Sequence, residues 1–530
     1  MKFKIWPLIL FLLLVLPRLY RFGQIPESLY WDEVAIGLDA RSIVQTGKDL
    51  SEKHWLQPLF YSYGDFKAPV YTWLTTVLGA FFGITEKIIR LSSLLVSFGL
   101  AFVLYQLTSL LFPERKKLPL FVAINLLIMP WSFHFSRIGM ESYLSLFWLV
   151  LMVYLQVLGF KKQRPFLMIP AALAGSLSIY SYIGARVITI ILYLATFLIF
   201  GFVLKKAKKQ LINFGAGFLI LVASMGILIK SPYYLASQDY RLSNDNLLTK
   251  TEHITQSVSA QEFHNRSFLS RLFHHRYLYW LHFYFQNYFA HFTPNFLLFE
   301  GDTNLRHHSG FGGEILLVQG ILLIIGIFII TRVNRTATLI LIWFLASPLV
   351  SSLVNNEVPH ASRAIYMIVP LSLLLGLGME NIYQKLKKMR WGNLLFFGSV
   401  GFLAVNFAVF LHDYFIHYPA RSKIAWLVPY KKAAEYFRAN PPEKKVFITD
   451  KWYQPGLYFA FYGDVKTSNL QGSFENFLKK SNGFVFSLPE TCPPDAWCLA
   501  PPNWQINETK VVSQIPGIEE LMIKEKGQEI

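Results

Sequence analysis

Cysteine is almost absent: the 530-residue chain has two, Cys492 and Cys498, too few for a disulfide framework or a cysteine-based metal site. A single local disulfide stays open if that tail lies in an oxidising compartment. Charge is scarce too. Asp, Glu, Lys and Arg make up 15% of the residues, against about 25% in ordinary soluble domains, which excludes a normal water-facing surface. Acidic residues are the scarcer sign, 32 against 50 basic, for a formal net charge of +18. In a soluble chain that balance would suggest nucleic acid. Here the basic residues stand in short knots between apolar runs, where they read as cytoplasmic anchors, and no nucleic-acid partner is expected. Tandem repeats and low-complexity tracts are lacking. So is a small-residue cleavage site after the first apolar segment: Ile5–Leu16, which follows Lys2 and Lys4, runs into Pro17-Arg18-Leu19-Tyr20, and the segment reads as an uncleaved first helix.

What is abundant is apolar sequence. Hydrophobic residues reach 53% and the mean hydropathy is +0.37. Long apolar runs such as Leu211–Ile229 and Ile315–Ile330 recur along most of the chain, and about 20 such residues cross a bilayer as a helix. Basic knots stand at Lys2/Lys4, Arg115-Lys116-Lys117, Lys161-Lys162-Gln163-Arg164, Lys205-Lys206-Ala207-Lys208-Lys209, Arg332/Arg335 and Lys385/Lys387/Lys388/Arg390. Placing all of them on the cytoplasmic side gives spans at 5–20, 88–112, 118–135, 142–160, 166–183, 187–204, 211–230, 315–331, 337–354, 364–380 and 391–411. The expected fold is an all-α polytopic membrane protein with about 11 transmembrane helices. Val70–Phe82 is apolar but short and lacks basic flanks on its far side, so it reads as an interfacial or re-entrant helix on the outer face. Residues 1–411 form the membrane domain, with outer loops at 20–87, 231–314 and 355–363. Residues 412–530 form an outer C-terminal module. Stretches such as Lys445-Val446-Phe447-Ile448-Thr449 and Gly483-Phe484-Val485-Phe486-Ser487 among Pro-rich turns mark it as small, soluble and α/β.

The outer loops hold the unusual polar residues. Tyr30-Trp31-Asp32-Glu33 places two adjacent carboxylates just past the first helix, where acids are disfavoured unless solvated, paired or used. A solvated loop or a helix cap at Asp32 would also account for them. Lys67, in Asp65-Phe66-Lys67-Ala68-Pro69, either snorkels to the headgroups or offers a cation to a phosphate. Ser136-Arg137-Ile138-Gly139-Met140-Glu141 brings Arg137 and Glu141 to the same face, as a helix-surface pair or as working groups. In Glu300-Gly301-Asp302-Thr303-Asn304-Leu305-Arg306-His307-His308, Arg306 and the backbone amides suit phosphate or sugar. His307 and His308 are the residues to test for a metal, although their spacing matches no standard zinc signature. Pro359-His360-Ala361-Ser362-Arg363 puts Arg363 near a helix N-terminus, where the dipole favours anions; an anionic partner or snorkelling would explain it. These residues are expected on one side of the membrane, around a common cavity.

Taken in order, Trp-Asp-Glu after the first helix, Phe66-Lys67-Ala68-Pro69, Ile89-Arg90-Leu91-Ser92-Ser93, Ser-Arg-x-x-x-Glu and Pro359-His360-Ala361-Ser362-Arg363 resemble the polyprenyl-phosphate-dependent glycosyltransferases of the GT-C fold. The resemblance is especially to protein O-mannosyltransferases and lipid A aminoarabinose transferases. The resemblance covers residues 1–200 best. Two departures stand out: Lys67-Ala68-Pro69 replaces the family's usual Lys-Pro-Pro or His-Pro-Pro, and Glu141 stands where aspartate is frequent. It implies inverting transfer of one sugar from a polyprenyl-phosphate donor to a hydroxyl of a lipid, glycan or protein acceptor, at the outer face of the plasma (inner) membrane. Asp32 would orient or accept the acceptor proton, with Glu33 and Glu141 holding cations or sugar hydroxyls as further catalytic residues. Lys67, Arg137, Arg306, His360 and Arg363 would bind the donor phosphate and stabilise it as it leaves. No cofactor is required, and a divalent metal is optional. The rival reading is a polytopic transporter or flippase for a lipid-linked or anionic substrate; matched halves with broken midplane helices, which such proteins often carry, are not evident. A non-catalytic membrane scaffold would leave the acidic pair and the histidine loop without a task.

Overall fold

The computed structural model describes residues 14–530 apart from 63–64, 202–206, 238–246, 248–250, 331–334, 355–356, 473, 482, 505–508 and 527–530. Most of the expected first span, the Lys2/Lys4 knot, Lys205, Lys206 and Arg332 lie outside the described residues. The chain forms two compact units. One comprises residues 1–20, 64–70 and 93–416, the other 21–63, 71–92 and 417–530. Residues 20–87, expected as one outer loop of the membrane domain, are thus divided between them.

Among the described residues, six helices are long and apolar enough to cross a membrane: Glu86–Leu111, Glu141–Lys161, Lys208–Ile229, Arg335–Leu353, Ile365–Leu386 and Gly392–Ser422. Shorter apolar helices occupy Pro69–Phe82, Leu118–Ile128, Pro165–Ser181, Ala185–Phe200 and Leu317–Ile330. Helices are what such sequences must form, because hydrocarbon offers the backbone no hydrogen-bond partner. The expected span 118–135 is two helices, Leu118–Ile128 and Pro130–Phe135, with Met129 extended between them. Pro130 has no N–H to give and holds the preceding residue out of the helical region. Pro69–Phe82 has 14 residues, a rise of about 21 Å, short of the hydrocarbon core of about 30 Å.

In the first unit the helix Ile368–Leu386 is buried without interruption from Ile368 to Glu380, as expected of a helix that is apolar all round. It packs on Leu317–Ile330 through glycines: a Cβ on Gly326 would stand 2.0 Å from the Leu374 carbonyl oxygen, and one on Gly378 2.1 Å from that of Leu322. Small residues at such crossings let backbones approach when no hydrophobic effect drives association. Buried polar groups pair across helices, Gln319 Nε2 donating to Asn125 Oδ1 at 3.1 Å.

The second unit has its own apolar core. Leu29, Val34, Leu38 and Ile89 join Tyr430, Phe437, Val446, Ile448, Leu457, Tyr458 and Leu499. Strands are β1 (Phe60–Ser62) in this unit, β2 (Asp65–Lys67) in the first, and in the C-terminal residues β3 (Lys445–Ile448), β4 (Lys480–Ser481), β5 (Phe484–Val485), β6 (Ala496–Ala500), β7 (Thr509–Gln514) and β8 (Met522–Lys526). The C-terminal strands form one sheet in the order β4-β5-β3-β6-β8-β7. β3 runs parallel to β5 and β6, and the remaining pairs are antiparallel. Cys492 and Cys498 form a disulfide. The two strands expected at 445–449 and 483–487 are present, the second shortened to Phe484–Val485; β6, β7 and β8 carried no comparable apolar alternation.

Candidate active-site residues

Asp32 and Glu33 open the helix Trp31–Thr46, and adjacency on a helix sends them different ways. Glu33 is buried. Its carboxylate takes Arg90 Nε at 2.9 Å on one oxygen and Arg90 Nη2 at 3.1 Å on the other, and the Tyr30 amide donates to it at 3.1 Å. A glutamate at the third helical position reaching back to the residue before the helix is half of a capping box. Arg90 also donates to the carbonyls of Pro26 at 2.7 Å and Ser28 at 2.6 Å, and its guanidinium lies over the Trp426 ring. The acid singled out beside Asp32 is thus half of a bidentate structural ion pair, and Arg90 is the residue that sequence reasoning left without a role. Asp32 is partly exposed at the start of the same helix. The segment before it is fixed from the C-terminal residues: Tyr458 Oη donates to Leu29 O at 2.9 Å, and Leu29 N donates to Tyr462 Oη at 3.2 Å. Lys431 Nζ contacts Glu27 O and Glu86 Oε1, both at 2.8 Å.

In the first unit, Arg137 is fully buried and faces the end of the opening helix. It donates to the carbonyls of Arg18 at 2.6 Å, Tyr20 at 2.9 Å and Pro17 at 3.2 Å, beneath the rings of Phe133, Tyr414 and Phe415. Those carbonyls are the unsatisfied ones of a helix terminus, and Arg137 clamps them. Glu141 is the first residue of the helix Glu141–Lys161 and is half-buried. Lys67 ends β2 and is buried, while its neighbour Phe66 stacks on Tyr233 at 5.1 Å.

A buried polar cluster is built from the loop 300–316 and the loop before the helix Ile368–Leu386. The first loop folds back on the turn Asn295–Phe299: Ile315 N reaches Leu297 O at 2.9 Å and Glu314 N reaches Phe296 O at 3.2 Å. Gly313 permits this closeness, since a Cβ there would lie 2.3 Å from Leu298 N. Gly301 has a φ of +70° and faces the His308 ring. Two successive side-chain-to-backbone turns then set the loop, Asn304 N to Asp302 Oδ1 at 2.8 Å and Arg306 N to Asn304 Oδ1 at 3.0 Å. The other oxygen of Asp302 takes the Ala361 amide at 2.7 Å, which ties the two loops together.

This arrangement separates the adjacent histidines. His307 Nδ1 lies 3.3 Å from Asp302 Oδ2, and its ring is 4.5 Å from that of His360. His360 Nδ1 lies 3.8 Å from the same oxygen. His308 turns the opposite way, its Nδ1 accepting from Gly310 N at 3.0 Å and its Nε2 facing Gly313 O at 3.4 Å. The metal candidate read from sequence, His307 with His308, therefore becomes Asp302 with His307 and His360, three buried groups whose ligand atoms lie within 4.8 Å of one another. In this turn the two rings diverge, and the sequence gives Asp302 no distinguishing spacing to either histidine. Arg306 and Arg363, both half-buried, flank His360 closely enough to act on its charge.

Three further buried groups support the cluster. His291 ends the aromatic helix Arg276–Ala290, accepts from His360 N at 3.3 Å and pairs with Ser351 Oγ at 2.8 Å. His134 Nε2 meets Arg306 O at 2.9 Å. Glu314 Oε1 accepts from Asp302 N at 3.0 Å. Burial, reinforced by the neighbouring Asp302 charge, raises the Glu314 carboxyl well above its ordinary range. Burial alone would raise Asp302 as well, but the facing His307 and the amides of Asn304 and Ala361 hold it low. Burial also lowers His291, to about 4, and His360, the latter further depressed by His307 and Arg363. Both are neutral imidazoles at neutral pH, which is the form that ligates metals.

Neither a family model nor a curated protein matches this sequence. The fold, however, is that of the GT-C polytopic membrane enzymes. ArnT from Cupriavidus metallidurans in the apo state matches with a TM-score of 0.54 at 11% identity, over 98% of this chain and 97% of that one. The same protein bound to undecaprenyl phosphate gives 0.53 at 12%, with the same coverage. An oligosaccharyltransferase from Archaeoglobus fulgidus, tethered with an acceptor peptide, gives 0.50 at 14% over 87% of this chain; the chain spans 63% of its length. At these identities the likeness is one of fold.

Proposed function

We propose that this protein transfers one sugar from a polyprenyl-phosphate carrier to an acceptor hydroxyl at the outer face of the plasma membrane, with inversion. The observation that carries the reading is the end-to-end agreement in fold with ArnT, 98% of one chain on 97% of the other, in a structure that holds undecaprenyl phosphate. The residue pattern is the second support. Asp32, partly exposed at the start of its helix, is the general base: a positioned carboxylate taking the acceptor proton contributes about 10²–10⁴-fold. Lys67, Arg306, His360 and Arg363 receive the lipid phosphate as its negative charge develops, in surroundings where poor hydration strengthens each contact. Glu141 orients a sugar hydroxyl.

Glu33 and Arg137 act at one remove in this scheme. Glu33, through Arg90, fixes the helix that carries Asp32, and Arg137 clamps the end of the opening helix. The Cys492–Cys498 disulfide suits an oxidising compartment and supports an outward C-terminal module. The donor already carries its phosphate on a lipid, so the chemistry calls for no nucleotide-binding loop. The acceptor is a lipid, glycan or protein hydroxyl.

The test is to supply the purified protein in lipid nanodiscs with a panel of polyprenyl-phosphate sugars and candidate acceptors, and to follow release of free polyprenyl phosphate. Release with one sugar class, lost in Asp32→Asn of unchanged folding, is the expected result. Release undiminished in that variant would remove Asp32 from the mechanism.

A further inference from the structure

We propose that Asp302, His307 and His360 bind one divalent transition-metal cation, zinc being the best match, and leave a coordination position open to an anionic oxygen. The case begins with geometry. Donors about 2.1 Å from a tetrahedral ion stand roughly 3.4 Å apart; here Asp302 Oδ2 is 3.3 Å from His307 Nδ1 and 3.8 Å from His360 Nδ1. All three ligand atoms lie within 4.8 Å of one another, and side-chain rotation has to bring them to that spacing.

The three groups are also preorganised. Each Asp302 oxygen takes a backbone amide, from Asn304 at 2.8 Å and Ala361 at 2.7 Å, and carboxylates oriented in this way are typical of metal sites. His307 Nδ1 is buried and, among the described residues, no hydrogen bond of ordinary geometry reaches it. A buried ring nitrogen so placed is costly, and a metal satisfies it. The Arg363 amide is 3.4 Å from His360 Nδ1, too long to hold that lone pair against a cation.

The donor set decides which metal. Two imidazoles and one carboxylate favour zinc and its first-row neighbours, whereas magnesium and calcium prefer all-oxygen surroundings. Three protein ligands are what open zinc sites use, with the fourth position left to water or substrate. Arg306 and Arg363 bring further positive charge, so the fourth ligand is an anionic oxygen, of which phosphate is the simplest kind. Metal binding does not depend on the sugar-transfer reading, and its test does not use that activity.

The full-length protein, purified in detergent, is stripped with chelator, re-equilibrated with zinc and analysed for metal by mass spectrometry. One zinc per chain is expected, with affinity more than ~10-fold weaker in Asp302→Asn, His307→Gln and His360→Gln. Unfolding of all three variants would shift the decision to cobalt bound by the wild-type protein. Four-coordinate cobalt gives intense visible bands, and inorganic phosphate should shift them if a position is open. Absence of bound zinc in folded protein, full stoichiometry in folded variants, or a six-coordinate cobalt spectrum would each overturn the site. Bands that ignore phosphate would overturn the open position.

Discussion

Glu33 with Arg90 and Asp302 with His307 and His360 are both buried charged clusters, yet they are finished differently. In the first, four guanidinium contacts of 2.6–3.1 Å go to Glu33, Pro26 and Ser28, and the carboxylate also caps its own helix. In the second, Asp302 is fixed by backbone amides while His307 presents a buried nitrogen with no well-aligned partner. A pair whose donors and acceptors are used internally holds a fold. A cluster that fixes its ligands but leaves one ring nitrogen poorly aligned to its neighbour is suited to receive something. Arg137, committed to the carbonyls of residues 17–20, belongs with the first kind.

The largest effect is expected where the closed pair is broken. Arg90→Met strands a buried carboxylate, and loss of one partner of such a pair costs about 3–5 kcal/mol; the variant should fail to accumulate or melt far below the wild type. Glu33→Leu with Arg90→Met should recover most of that loss, because replacing both partners by apolar groups is often neutral. If the double variant is as unstable as the single one, the pair is not the closed unit described. Next in size is Gly313→Ala, whose Cβ would meet the Leu297–Leu298 backbone. Overpacking of about 1–3 kcal/mol is expected, seen as a lower melting temperature and faster proteolysis in the 300–316 loop. A wild-type cleavage pattern would show that the loop does not depend on this approach.

The smallest effect concerns pH. His291 sits near 4 in the folded protein, lowered by burial, against about 6.5 unfolded. The unfolded chain therefore binds more protons between these values. Stability linked to His291 is intact above about pH 6.5 and is lost as pH falls toward 4, about 2 kcal/mol between pH 7 and pH 5. Thermal melts at those two pH values should diverge less in His291→Gln than in the wild type; equal divergence would assign the slope to other groups.

Much of the fold was legible because bilayer-crossing runs are long and apolar; the break before Pro130 was not, because the apolar run continues across it. The site was legible only in part. Trp31-Asp32-Glu33 opens a helix, but nothing local says that its second acid turns inward to an arginine 57 residues away. Likewise Asp302 and His360 are brought together through Ala361, a contact 59 residues apart in sequence. The one available signal was Asp302 itself, followed by Asn304 in a glycine-flanked loop that favours side-chain-to-backbone turns. His307 and His308 read as a pair in the sequence, whereas the fold turns their rings to different partners.

Sugar transfer and lipid movement leave opposite traces. With the protein in sealed liposomes carrying a labelled polyprenyl-phosphate sugar and an acceptor outside, transfer yields glycosylated acceptor and stoichiometric free polyprenyl phosphate, and Asp32→Asn lowers both by at least ~10²-fold. Intact sugar-lipid crossing the bilayer with no free polyprenyl phosphate released, at equal rates in the wild type and Asp32→Asn, would contradict the account.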